Sequence, residues 1–154
     1  MSKWFVFLLT LSLCGCSKEK PPLVMQPASG QVIYNGAPAA GVRVYLLPTS
    51  APMVPEIPNN PYGLTGPDGR FTVGTFSDND GAGEGGYQVV LLWPAESKAE
   101  SHEESDDDRL NEWYTATNSQ LSCQIKAGKN EIPTFNLPLR TGKPPVSNGI
   151  PGRN

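Results

Sequence analysis

The chain has 154 residues, room for one domain and an accessory segment rather than two full cores. Gly 16 and Pro 16 make up about a fifth of it, against a usual ~12%, which works against helical bundles and coiled coils and suits short strands joined by turns. A net charge of -3 gives no electrostatic footprint for nucleic acid, and one histidine with three cysteines leaves little material for metal or nucleophile chemistry.

Lys3 precedes an apolar run, Trp4 to Leu13, broken only by Thr10 and Ser12. Ten helical residues rise about 15 Å, half of a ~30 Å hydrocarbon core, so residues 1–15 read as a secretory signal and not as a span. Leu13-Cys14-Gly15-Cys16 resembles a bacterial lipobox. The resemblance implies cleavage before Cys16 and acylation of its thiol, with Gly15 in the small position. The competing register, a cut before Cys14, places Leu13 where a small residue belongs. An ordinary cleaved signal ahead of a soluble secreted protein is the plainer alternative. Several acyl chains make a lasting tether where one holds only marginally, so the anchor implied is a membrane one. Ser17 follows the cysteine where lipoproteins retained in the inner membrane often carry Asp, so the same resemblance implies the outer membrane of a cell envelope. Residues 16–28, with Pro21, Pro22 and Pro27, then read as a disordered, semi-extended tether.

From Ser29 onward, apolar residues recur at alternate positions in short runs bounded by turn residues, the signature of sheet. Gln31 to Tyr34 is a first strand closed by Asn35-Gly36, a strong two-residue turn signal. Val42, Val44 and Leu46 line one face of a second strand that Pro48 ends. Residues 52–61, with four prolines, form a loop, and residues 62–74 read as a hairpin about Gly66-Pro67-Asp68-Gly69. After a glycine-rich loop over 78–86, Tyr87, Val89, Leu91 and Trp93 alternate with Gln88, Val90 and Leu92, and two apolar faces mark a central strand. Residues 96–108 carry seven acidic residues and one lysine, which predicts a mobile loop. Arg109 to Tyr114 has room for one short helical turn. Leu121, Cys123 and Ile125, then Phe135 and Leu137, complete the strands. Residues 140–154, with no periodicity, read as a disordered tail. About seven strands with turns every ten residues predict an all-β fold, a seven-stranded antiparallel β-sandwich.

The motifs also carry a resemblance. Ser29-Gly30-Gln31-Val32-Ile33-Tyr34-Asn35-Gly36, followed by Pro38 and Gly41-Val42-Arg43-Val44, resembles the opening of a carboxypeptidase-regulatory-like or transthyretin-like domain. Tyr62-Gly63-Leu64-Thr65 ahead of Asp68-Gly69-Arg70-Phe71, and then Gly85-Gly86-Tyr87-Gln88-Val89, match its later hallmarks. Gly66-Pro67 stands where that family often has Asp or a small residue, a difference of turn detail. The resemblance implies a prealbumin-like sandwich over residues 29–139, without catalysis and without a cofactor.

Candidate chemistry is sparse. His102 lies among Glu100, Glu103 and Glu104 in the acidic loop, where no packed surround holds a general base. Asp78, Asp80 and Glu84 resemble part of a calcium loop, but Gly81 is at the fourth position where the pattern needs it at the sixth, and the closing acid is missing. An ordinary turn is the favoured reading, with a low-affinity calcium site as the alternative. Cys123 alternates with core residues and reads as a small hydrophobe. Trp113 and Tyr114 are the candidate exposed aromatic pair for a ligand. The expectation is a non-catalytic cell-envelope lipoprotein that acts as a membrane-tethered binding or structural module. The alternative is a carbohydrate- or peptidoglycan-binding module using Trp113 and Tyr114.

Overall fold

The computed structural model describes residues 23–50, 60–95 and 107–145. The signal and Cys16, residues 51–59, His102 with most of the acidic run, and residues 146–154 therefore lie outside the described residues. Within them the chain is all-β, with no helix.

The first strands follow from the strongest local signals. β1 (Met25–Gln26) and β2 (Ala28–Tyr34) flank Pro27, and β3 (Ala37–Pro38) folds back on β2 through Asn35-Gly36. Both turn residues have positive φ, 49° and 81°, the geometry of a two-residue hairpin whose twist matches its strands. β4 (Arg43–Pro48) then leaves for a second sheet, with Val42, Val44 and Leu46 fully buried. β5 (Tyr62–Leu64) pairs with β4, and β6 (Arg70–Thr72) pairs with β2.

That division corrects the hairpin expected over residues 62–74. Its two arms belong to different sheets and form no ladder with each other beyond the turn and a bridge between Tyr62 and Gly74. The arms cross closely at Gly63, where a Cβ would stand 2.7 Å from the Thr72 carbonyl oxygen. The buried Thr65 side chain fixes the crossing. Its hydroxyl donates to the Ala39 carbonyl at 2.6 Å and accepts the Val42 N–H at 2.8 Å, which ties the β3–β4 bend to the end of β5.

β7 (Ala82–Gly83) pairs with β1, and β8 (Gly85–Leu92) lies between β4 and β9 (Ser122–Ile125). The four-stranded antiparallel sheet thus runs β5-β4-β8-β9, and β8 is central as its two apolar faces predict. β10 (Asn130–Glu131) and β11 (Phe135–Leu137) close the other sheet by running parallel to β2, which corrects the all-antiparallel pairing expected, and the described residues hold eleven short strands where seven were expected. Between β10 and β11 the chain spends three residues where β2 spends two, so one residue bulges out beside Pro133, which has no N–H to give a ladder.

Buried side chains from both sheets form one core. Val32, Phe71, Phe135 and Leu137 come from the β2 sheet; Val44, Leu46, Val89, Leu91 and Ile125 come from the β8 sheet. Each of the larger ones contributes about 1.5–3 kcal/mol by leaving water. Two sheets sharing a core in this way are consistent with a β-sandwich.

Two edges of the body differ from expectation. Pairing begins at Met25 and not after Ala28: β1 lies on β7, Gln26 is buried, and Ala28 is in the core, so Met25, Gln26 and Ala28 of the expected tether belong to the folded body. Residues 140–143 of the expected tail are likewise held against the chain at 111–113.

Candidate functional site

Two loops carry the aromatic residues that sheets alone do not bury, and each is organised by one aspartate. Asp108 ends the acidic run predicted to be mobile, yet its carboxylate accepts the N–H groups of Trp93, Leu110 and Glu112, all at 3.0 Å. A backbone bridge between Pro94 and Asp108 supports it. Asn111 and Glu112 take left-handed conformations, φ 53° and 63°, so the short helical turn expected over Arg109–Tyr114 is replaced by a chain of tight turns. Asp108 satisfies the N–H groups that a helix would have left to its own first turn.

This loop turns its rings inward. Tyr114 is 8% exposed and belongs to the core. Trp113 is half-buried: the Arg140 guanidinium lies 4.2 Å from its ring centroid, and its indole N–H donates to the Gly142 carbonyl at 2.9 Å. Trp93 is arranged alike, with Arg109 at 3.7 Å over its face and the Tyr34 ring against it at 5.4 Å. Trp113 and Tyr114 therefore do not form an open pair. The turns at Asn111 and Glu112 set the two rings apart, Tyr114 into the core and Trp113 beneath Arg140.

Asp80 organises the second loop. One carboxylate oxygen accepts the Thr75 N–H at 2.6 Å, and the other accepts those of Phe76 and Ser77 at 3.1 and 3.2 Å. The Thr75 hydroxyl donates to the Gly81 carbonyl at 2.6 Å, Thr72 and Asn79 are joined through their side chains, and Asn79 is left-handed at φ 63°. These bonds present Phe76 to water, 60% exposed.

The calcium-like set is not gathered. Asp80 uses both oxygens on backbone N–H groups, and Glu84 accepts from the Gln26 amide at 3.3 Å instead of turning toward Asp78. Among the described residues, no three His, Cys, Asp or Glu side chains stand close enough together to hold a metal ion.

Beside Phe76 opens a cleft of about 710 Å³ that sequence reading did not anticipate. Tyr45 and Tyr62 stand across the β4–β5 pair with ring centroids 5.2 Å apart, and Leu64 and Phe76 extend the apolar surface. Asn60, Thr72 and Asn79 supply amides and a hydroxyl. Burial, and secondarily Tyr45, raise the Tyr62 phenol above its usual range, while Arg43 opposes them. The group is thus a neutral hydrogen-bond donor at physiological pH. Asp78 is the one carboxylate lining the cleft, and no lysine or arginine lines it among the described residues. The one available sequence signal was Phe76 itself, an aromatic among Thr, Ser and Asp with no strand alternation to bury it.

Cys123 is half-buried on β9, opposite Tyr87 on β8. Burial pushes its thiol up from 9.0 to about 11. Burial, then Cys123, push Tyr87 to about 12, and the phenol donates to the Gly83 carbonyl at 2.8 Å. Both groups keep their protons and act as packing residues. No helix of the described residues is long and apolar enough to cross a membrane. Comparison with protein-family models, with curated proteins and with solved structures returns no match.

Proposed function

We propose that this chain is a cell-envelope lipoprotein, held to a membrane by acylated Cys16, whose body is a non-catalytic binding or structural module. The observation that carries the binding part is the cleft beside Phe76: a large aromatic side chain held in water by a loop fixed through the Asp80 carboxylate. Exposed apolar surface on a rigid support is a common mark of a contact site. The non-catalytic part rests on composition, since a single histidine supplies no acid–base or nucleophile constellation.

The anchoring part rests on the run ending at Gly15-Cys16. Leu23, the first described residue, is seven positions beyond Cys16, a reach of about 25 Å at most whatever path the chain takes. The body is thereby kept close to the membrane surface. The seven-stranded transthyretin-like reading draws its support from the motifs of residues 29–93 and from two sheets, one around β2 and one of order β5-β4-β8-β9, that share a single core. The outer membrane is the favoured location, from Ser17 after the cysteine.

The test is fractionation of cells producing the full chain and its Cys16→Ser variant. The wild type is expected in the membrane fraction and the variant in the soluble envelope fraction. Equal membrane retention of both contradicts the anchor.

A further inference from the structure

We infer that the cleft between Tyr45, Tyr62 and Phe76 is a saccharide site, taking a neutral sugar chain by stacking and amide hydrogen bonds. The inference rests on the reading of this cleft as the contact surface of the module and adds the ligand class.

Three observations point to that class. The first is the apolar component. Tyr62 is 37% exposed, Leu64 54% and Phe76 60%, and Tyr45 lies beside Tyr62 at a 45° tilt, so the rings offer faces inclined to one another. The C–H faces of pyranose rings are flat apolar patches that lie against aromatic faces, whereas a buried anchor side chain would need a deep pocket. This cleft is open and lined by faces.

The second is the polar component. The Asn60 amide and the Asn79 amide N–H groups interleave with the rings, the Thr72 hydroxyl is engaged by Asn79 Oδ1 and helps hold that amide, and the phenol of Tyr62 keeps its proton. Amides and hydroxyls are paired donors and acceptors, as sugar hydroxyls are. The third is charge. Among the described residues Asp78 is the one carboxylate of the lining and no lysine or arginine belongs to it, the nearest cationic influence being Arg43 on the Tyr62 phenol, so the lining offers a phosphate, carboxylate or sulfate group no paired donor fork. A neutral polyhydroxylated ligand matches all three.

Rigidity strengthens the assignment. The Asp80 bonds to three successive N–H groups hold Phe76, and Tyr62 is fixed from both sides by pairing with Tyr45 and by its bridge to Gly74. Weak stacking contacts give useful affinity when the platform loses little freedom on binding.

The experiment is amide chemical-shift titration of the full chain with a neutral glucose tetrasaccharide, an N-acetylglucosamine tetrasaccharide, a sulfated tetrasaccharide and a proline-rich peptide. At least one neutral tetrasaccharide is expected to shift the amides of residues 60–64 and 74–79. Phe76→Ala weakens that binding about tenfold while its melting temperature stays that of the wild type; Trp113→Ala leaves it unchanged. Leu64→Ala, also at an exposed position, is a second variant expected to weaken it. Shifts at the same residues from the proline-rich peptide alone, or from the sulfated sugar alone, overturn the saccharide assignment and leave the cleft as contact surface. Shifts from the neutral sugars elsewhere on the molecule, or none from any ligand, overturn both.

Discussion

The loops at 74–80 and 108–114 use the same device for opposite ends. In each, one aspartate accepts three backbone N–H groups and fixes a turn that has left-handed residues. At Asp108 the turn folds Leu110 and Tyr114 into the core, and Arg140 covers Trp113. At Asp80 it holds Phe76 out in water beside an open cleft. A fixed loop is thus not evidence of a site. What separates the two is where the ring goes and whether anything in the same chain covers it.

The largest expected effect comes from breaking the covered loop. Asp108→Ala removes the acceptor for three N–H groups, two of them partly buried, and should cost about 3 kcal/mol in denaturant unfolding. A cost within 0.5 kcal/mol would mean that Asp108 belongs to the solvated acidic run after all. Asp80→Ala acts on a more exposed set of bonds and should cost less, about 1–2 kcal/mol, while releasing Phe76 from its fixed position. An equal cost for the two would erase the energetic difference between the loops.

Alkaline titration acts apart from both loops, on the β8–β9 pair. The Cys123 thiol titrates at about 11 in the folded chain and at 9.0 ordinarily, so the folded state holds the proton more tightly. Its contribution is complete below pH 9.0 and is lost as pH rises through about 11. The melting temperature should fall by a few degrees across that window, and Cys123→Ala should flatten the fall. A fall of the same size in the variant would assign it to other groups. The smallest effect is Arg140→Ala, which uncovers the Trp113 ring: about 0.5–1 kcal/mol, with a red shift of tryptophan emission. Unchanged emission would show that the ring is shielded without Arg140.

Legibility in the sequence followed the range of the interaction. Asn35-Gly36 was readable because two residues set their own turn, and β8 was readable because its alternation is continuous from Tyr87 to Trp93. The crossing at residues 62–74 was not, since the local turn is the same whether its arms pair with each other or with β4 and β2. Met25–Gln26 has no alternation, and its strand character comes from Ala82–Gly83, far along the chain. Asp108 was hidden by composition: six other acids between Glu96 and Asp107 make it look like one more solvated charge. The cleft was hidden most fully, because Tyr45, Tyr62 and Phe76 come from three separate segments and only the β4–β5 register and the Asp80 turn bring them together. Trp113-Tyr114 attracted attention as adjacent rings, but the left-handed turns before them, which send one ring to the core and the other beneath Arg140, leave no periodicity to read.

The most direct test of the account is hydrogen exchange of the full chain, followed by mass spectrometry, in its own envelope membranes and after purification in detergent. Contact through the cleft predicts slower exchange over residues 60–64 and 74–79 in the membranes, lost in Phe76→Ala, with residues 109–114 the same in both. Protection confined to residues 109–114, or exchange identical everywhere, would contradict it.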